Sequence, residues 1–412
     1  MKQVLPILAV MLLSASAAMT LAADDNCLTC HQSFEDETAG PSHIIVRDVH
    51  YQRGISCADC HGGSATLEDM EEVRREKSYR GVPGALDVPL FCARCHSDAA
   101  YMHEHNPGLP VDQLEKYKTS VHGHLLLEKK DPHVATCTSC HGVHDIGSAK
   151  LPHSKTYPLN IPQTCGTCHA DEAHMAPYGI PTDQVEAYAQ SVHGQALLER
   201  KDLGAPACND CHGNHGAAPP GVASLSAVCG TCHALEADLF VSSPHKAAFE
   251  ANDYPMCETC HSNHRIVRPL DAWIGTAEPA LCVNCHGDAD GTRGFETARG
   301  ISKAIADLAA AHGQAETALE EAVTKGMMTT DEEFRLKEVD QNLIQTRTLV
   351  HAFNMDSVSG KAEEGLQKAR QVQQNSARLV DEYYFRRKGL GLATLGITIL
   401  VVGLYLMIKR LG

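Results

Sequence analysis

Two stretches of the chain repeat each other without a gap: Asp112–Ile146 reads DQLEKYKTSVHGHLLLEKKDPHVATCTSCHGVHDI, and Asp183–Ala217 reads DQVEAYAQSVHGQALLERKDLGAPACNDCHGNHGA. A shorter copy covers Ser243–Ile266, and a degenerate copy covers Asp48–Gly63. Each copy places a histidine in a short amphipathic segment ahead of the sequence Cys-x-x-Cys-His. An internal repeat of this kind predicts a chain built from small units that share one architecture.

The pentapeptide Cys-x-x-Cys-His occurs nine times and uses all 18 cysteines. It is typical of c-type haem attachment, because each cysteine can form a thioether to a haem vinyl group while the next residue offers an imidazole to the iron. The predicted thioether residues are Cys27, Cys30, Cys57, Cys60, Cys92, Cys95, Cys137, Cys140, Cys165, Cys168, Cys208, Cys211, Cys229, Cys232, Cys257, Cys260, Cys282 and Cys285. The predicted proximal ligands are His31, His61, His96, His141, His169, His212, His233, His261 and His286.

Other uses of paired cysteines fit the pattern less well. Zinc sites, thioredoxin-like couples and disulfides all employ such pairs, but none requires a histidine directly after the second cysteine. The nine motifs all lie between Cys27 and His286, so the haems must be close to one another. Haem faces would also supply the apolar core in a chain of 412 residues that is only 5% aromatic.

The repeat also predicts second axial ligands. One histidine recurs in the segment between two motifs, and another recurs three residues beyond a motif histidine. These candidates are His50, His122, His193, His245, His144, His215 and His264. In the first repeat Ser64 stands at the second of these positions, so His43 is the expected substitute. With 25 histidines the chain can supply two imidazoles to every iron, and such ligation leaves no open position for a substrate.

The two ends of the chain carry apolar segments of different length. Val4–Leu13 is a short apolar run behind Lys2, and small residues follow it up to Ala23, so a cleaved signal peptide is predicted over residues 1–23. Residues 389–408 contain no charged side chain and have basic residues on both sides, which predicts one transmembrane helix. Export followed by a C-terminal anchor would leave the rest of the chain on the periplasmic side of the cytoplasmic membrane.

The stretch between the last motif and the anchor is predicted to be helical. Apolar residues recur there with heptad-like spacing, namely Ile301, Ile305, Leu308, His312, Ala315, Leu319 and Ala322. Thr330 and Glu333 form a capping signature for a second helix toward Phe353, and a third helix is expected from about Ser357 into the anchor. His312 and His351 lie on or beside apolar faces, and either could reach the last haem.

These features predict a mostly α-helical and irregular fold. We expect a haem-cored multihaem cytochrome c domain at residues 24–294, with four dihaem repeats and one further haem, and a helical hairpin or bundle at residues 295–385. The transmembrane anchor at residues 389–408 is the last of the predicted segments. The net charge of −16 argues against nucleic acid as a partner.

The sequence resembles the cytochrome c3-like, membrane-anchored multihaem c-type cytochromes with doubled CxxCH repeats, which accompany cytochrome b-type quinol oxidoreductases in anaerobic respiratory bacteria. The resemblance rests on the nine motifs, on SVHG at residues 120–123 and 191–194, and on RTLVHAFN at residues 347–354. It implies nine haems that carry electrons from an integral quinol-oxidising subunit to a periplasmic cytochrome or reductase. It also favours His351 over His312 as a ligand.

On this interpretation His351 would complete the coordination of the ninth haem, at His286, and that haem would lie close to the bilayer as the point of electron entry. The alternative function is a multihaem oxidoreductase of the nitrite or hydroxylamine type with one open haem. No motif has lysine in place of its histidine, which weighs against that alternative.

Overall fold

The computed structural model describes residues 25–34, 40–220, 225–286 and 291–412, and the predicted signal peptide lies outside these ranges. All regular elements in the described residues are helical, which confirms the predicted fold class. The chain forms two compact units. The first comprises the residues up to Pro219 together with His264–Ile266, and the second comprises Pro220–Asn263 and Val267–Gly412. The last three haem motifs thus share a unit with the C-terminal helices.

Short helices make up the first unit. They are α1 (Asn26–Gln32), α2 (Gly40–Ile44), α3 (Cys57–His61), α4 (Met70–Arg75), α5 (Val88–His96), α6 (Ala99–His105), α7 (Gln113–Thr119), α8 (Val121–Leu127), α9 (Cys137–His141), α10 (Ile161–His169), α11 (Glu172–Met175), α12 (Gln184–Ala189), α13 (Val192–Gly194) and α14 (Cys208–His212). A π-helical turn, Gln195–Glu199, continues α13, and 3₁₀ turns lie at Ile45–Arg47, Tyr51–Arg53, Pro158–Asn160 and Ala176–Tyr178.

The second unit ends in three long helices. Its elements are α15 (Leu225–Gly230), α16 (Ala234–Ser242), α17 (Pro244–Ala251), α18 (Glu258–His261), α19 (Val283–His286), α20 (Arg293–Thr324), α21 (Thr330–Thr348) and α22 (Met355–Leu411). Two 3₁₀ turns lie at Asp271–Trp273 and Leu349–Ala352.

Several haem motifs are single helical turns that stop at the histidine. In α3, α9 and α14 the following residue is a glycine in a left-handed conformation, with φ of 73° at Gly62, 80° at Gly142 and 78° at Gly213. A Cβ on Gly62 would lie 1.7 Å from the carbonyl oxygen of Ser78, so only glycine fits there. The turn ends the helix and points the chain away from the motif histidine.

The C-terminal bundle has an ordinary side-chain core. The predicted stripe on α20 is buried at Ile301, Ile305 and Leu308 and continues through Ala315, Leu319 and Ala322, so this prediction is confirmed. It packs against residues of the two following helices, including Val339 and Val358. By contrast, a buried cluster in the first unit consists of Tyr117, Leu126 and Val134. Aliphatic burial therefore stabilises the bundle.

The helix starts differ slightly from the sequence prediction. The cap of α21 is Thr329, not Thr330, and its hydroxyl lies 2.6 Å from Glu333 Oε1. The third helix begins at Met355, capped by the side chain of Asn354, and not at Ser357. It runs without interruption to Leu411, and its apolar end is exposed and long enough to cross a membrane. The anchor is therefore a continuation of the bundle.

Candidate haem-ligand centres

Seven motif histidines each face the ring of a histidine from outside the motifs. The pairs and their ring-centroid distances are His50–His96 at 5.8 Å, His61–His144 at 6.0 Å, His122–His169 at 6.1 Å, His141–His215 at 6.0 Å, His212–His264 at 5.8 Å, His245–His286 at 6.1 Å and His261–His351 at 6.1 Å. Every non-motif member of these pairs is a candidate from the sequence.

This separation fits two imidazoles bound to one metal ion between them. A metal–imidazole bond is about 2 Å long, and adding the distance from each nitrogen to its ring centre gives roughly 6 Å between centroids. Rings in direct offset contact can lie closer, at about 4.5 Å. The narrow range of the seven distances therefore fits the donor set of a six-coordinate haem iron.

Hydrogen bonds at Nδ1 select the other nitrogen of several paired rings as the metal ligand. Nδ1 of His61 lies 2.9 Å from the carbonyl oxygen of Gly81, and Nδ1 of His351 lies 2.9 Å from that of Thr348. The corresponding distance from His212 to Ala218 is 3.3 Å. A carbonyl can only accept, so Nδ1 carries the proton and Nε2 is left for the iron.

Three pairs exchange histidines between neighbouring repeats. His144, His215 and His264 each follow a motif histidine by three residues, yet each faces the motif of an earlier repeat, at His61, His141 and His212. Backbone hydrogen bonds fix this exchange. Val49 N donates to Ile146 O at 2.8 Å, Val121 N to Ala217 O at 3.1 Å, and Val192 N to Ile266 O at 2.8 Å.

The histidines of the inter-motif helices face forward along the chain. His122 stands at the start of α8, where the hydroxyl of Ser120 accepts a hydrogen bond from Gly123 N at 2.8 Å. A cap of this kind fixes where the helix begins and therefore where the histidine points. In the described pairs, each of these histidines faces the second haem motif that follows it in the sequence. The pairs are His50 with His96 of the third motif, His122 with His169 of the fifth, and His245 with His286 of the ninth.

His351 faces the eighth motif and not the ninth. Its ring lies 6.1 Å from His261 at an interplanar angle of 18°, whereas His286 faces His245. The expectation that His351 completes the ninth site is thus wrong. Phe353 lies beside the His245–His286 pair, with its ring stacked on His286 at 5.7 Å and 4.4 Å from the His245 ring, and its backbone is in the left-handed region at φ 46°.

His312, the other candidate, lies in the bundle. Its Nε2 is 2.7 Å from Asp340 Oδ1. This contact between α20 and α21 gives His312 a packing role within the bundle. The structure thus gives the two late histidines different surroundings, and only His351 faces a motif.

The ninth motif lies at the end of the bundle that is distant from the anchor. Gly294, at the start of α20, packs against the His286 ring, and Phe353 immediately precedes α22. At 1.5 Å per residue, α22 extends about 50 Å from Met355 to the start of the apolar segment at Gly389. At the other end, Lys325 Nζ lies 5.5 Å from the ring of Tyr384. The length of α22 therefore does not support the expectation that the ninth haem lies close to the bilayer.

Cysteines of consecutive motifs lie close together within each unit. The thiols of Cys92 and Cys137 interact, and so do those of Cys165 and Cys208. In each pair the hydrogen bond from the partner thiol lowers the pKa of the second cysteine, Cys137 or Cys208. In the second unit the bond from Cys257 lowers the pKa of Cys229 to about 7. These thiols stand where thioether sulfurs would be in the haem-bearing protein.

Longer-range interactions between cysteines extend the series. Cys27 acts on Cys57, Cys95 on Cys60, and Cys165 on Cys140, where burial is the main cause that raises the pKa of Cys140 to about 11. Cys282 acts similarly on Cys260. These electrostatic interactions follow the order of motifs one to six in the first unit and of motifs seven to nine in the second.

The other predicted ligands are described by the helices that carry them. His31 is the last motif residue of α1, and its ring lies 5.9 Å from Phe34. His43 lies in α2 with an exposed side chain. His193 lies in α13, where Ser191 caps the helix in the same way that Ser120 caps α8. The assignments of His43 and His193 remain predictions.

Comparisons with known proteins agree with the motifs. The family model described as cytochrome c3 matches residues 49–170, and the model of the doubled CXXCH motif matches residues 244–291. A relative described as the C-type polyheme cytochrome OmcC of Geobacter sulfurreducens is 23% identical over 226 residues, which cover 46% of this chain and 26% of that protein. The matched region is thus about a quarter of that relative's length. No solved structure matches the chain.

Proposed function

We propose that this multihaem c-type cytochrome carries nine covalently attached haems and passes electrons from a quinol-oxidising membrane complex to periplasmic acceptors. Bound c-type haems accept and release single electrons. Electron transfer through a multihaem cytochrome follows from the motifs and the family matches. The number of haems, the donor, the periplasmic location and the acceptor belong to the proposal.

The pairing of histidines is the observation that carries the proposal. In seven pairs, two imidazoles stand at the spacing that closes both axial positions of an iron. Chemistry on a substrate needs an open position, whereas relaying electrons does not. Residues that saturate the metal in this way favour transport over catalysis at these seven motifs.

The order of the motifs supports conduction along the chain. Cysteine side chains of successive motifs interact from Cys27 to Cys208 in one unit and from Cys229 to Cys282 in the other. Thioether bonds at these residues would fix each macrocycle by its edge, so neighbouring edges would be held close. The chain itself thereby sets the distances over which electrons move.

The length of the bundle favours an electron donor whose redox group lies outside the bilayer. The helix between the ninth motif and the apolar segment is about 50 Å long, so a haem at Cys282 and Cys285 is not next to a quinol dissolved in the bilayer unless the bundle lies flat. We therefore propose that the integral partner has an extramembrane redox group that contacts this cytochrome.

The role of the anchor can be tested by truncation before Arg386. The truncated protein should be soluble and still accept electrons from dithionite, but membranes that contain menaquinol should reduce it much more slowly than the full chain. A matched control replaces residues 389–408 by an unrelated apolar helix of equal length and should restore the rate. Equal rates for the full and truncated proteins would contradict the proposal and indicate a freely diffusing carrier.

A further inference from the structure

The first repeat differs from the other three at the residue that begins the ligand helix. Ser120, Ser191 and Ser243 stand two residues before His122, His193 and His245, whereas Asp48 stands two residues before His50. Within the part of the chain that the structure describes, the serine hydroxyls hydrogen-bond to backbone atoms only. They accept from Gly123 N at 2.8 Å, Gly194 N at 2.9 Å and His245 N at 3.2 Å, and they donate to the carbonyl oxygens of Tyr117, Tyr188 and Phe240.

The carboxylate of Asp48 makes the backbone bond and reaches the imidazole as well. Oδ1 accepts from His50 N at 2.8 Å and lies 2.9 Å from His50 Nδ1, while Oδ2 accepts from Ile146 N at 2.9 Å. The Asp48 side chain is only 5% exposed. Both carboxylate oxygens face nitrogen donors, two of them backbone amides, so the side chain is held in place beside the imidazole as a hydrogen-bond acceptor.

The partner of Nδ1 sets His50 apart from three other paired histidines. His61, His212 and His351 direct Nδ1 at neutral backbone carbonyls. A carboxylate acceptor raises the basicity of a metal-bound imidazole, which favours the oxidised iron and lowers the reduction potential. The ring planes differ too. His50 and His96 are 83° apart, whereas the pairs His141–His215 and His212–His264 are 17° and 9° apart.

We propose that Asp48 is a positioning residue that holds His50 nearly perpendicular to His96. It would give the haem of the third motif a lower reduction potential than haems whose ligating histidines donate from Nδ1 to neutral backbone carbonyls. The inference rests on the axial ligation proposed above. The third motif lies between the second and fourth in the series of cysteine interactions, at Cys60 and Cys137. Asp48 therefore places one low-potential step within the first unit.

The tests are Asp48→Asn, which removes the charge, and Asp48→Ser, which restores the residue of the other repeats. Spectroelectrochemical titration of the full chain should show one of the nine components shifted to higher potential in both variants. Electron paramagnetic resonance of the oxidised protein should show that the signal of one strongly anisotropic low-spin haem has changed, because near-perpendicular imidazoles produce such a signal.

Asp131→Asn is the matched control. Asp131 also stands two residues before a histidine and lies 3.2 Å from His133 Nδ1, but the His133 side chain is 77% exposed and faces no motif. This variant should leave all components in place. Unchanged potentials in both Asp48 variants, or an equal shift in the control, would overturn the inference. If the unmutated protein itself lacked bis-histidine signals, the proposed ligation would fail instead, so the two failures are distinguishable.

Discussion

Replacement of His144 by alanine tests the exchange of histidines between repeats. The ring of His144 lies 6.0 Å from His61, whereas the motif that precedes it in sequence ends at His141, which faces His215. The thioethers do not involve His144, so the variant should keep all its haems. One iron in nine should change from low to high spin, and its potential should rise because an imidazole that stabilises the oxidised iron is lost. Spin quantification by electron paramagnetic resonance measures the change.

A second background identifies the affected iron. Cys57→Ala with Cys60→Ala removes both thioether residues of the second motif and hence its covalent haem. In that background His144→Ala should produce no further high-spin iron, because its iron is already absent. His215→Ala is the matched control, and it should produce one high-spin iron in either background, since its partner is His141. A new high-spin iron from His144→Ala in the depleted background would refute the exchange.

Three further predictions concern the bundle. Leu308→Ala removes a fully buried side chain and should lower the free energy of unfolding by about 2–5 kcal/mol in helix-monitored melting, with the Soret spectrum unchanged. Arg347→Ala breaks a two-point ion pair with Asp271, but both side chains are about two-fifths exposed, so its cost by the same assay should be no more than about 1 kcal/mol. In neutron reflectometry of the full chain in a supported bilayer, an upright bundle should place the ninth motif, at the far end of α22, about 50 Å from the headgroups. Protein density for this end of the bundle in contact with the headgroups would contradict an upright bundle.

The sequence predicts the chemical groups of this protein better than their partners. Nine pentapeptides indicate haem attachment directly, and the heptad-like stripe of α20 predicts the packed face that includes Ile301 and Leu308. Recurrence of a histidine at one place also predicts that it is a ligand. It does not predict which motif the ligand faces, because all copies of a repeat look alike while the fold decides how they interlock. That is why the partner of His351 was predicted wrongly.

The position of the ninth motif is hard to predict for a related reason. Segments that are neighbours in the sequence need not be neighbours in space, and here one continuous helix separates the ligand-bearing turn from the anchor. The absence of proline between Met355 and Gly389 is consistent with one continuous helix, and the length of this segment follows from the sequence. The special role of Asp48 was also visible, since aspartate stands there in place of serine, but only the distance to His50 gives that difference a chemical meaning.

The central claim is that two histidines of the chain ligate each haem iron, one on either side of the haem. Electron paramagnetic resonance of the fully oxidised, full-length protein, integrated against iron, tests it most directly. The account predicts nine low-spin ferric haems per chain and no high-spin signal. Fewer than nine haems, or a stoichiometric high-spin haem that binds an added ligand, would contradict it and would favour an enzyme with an open iron.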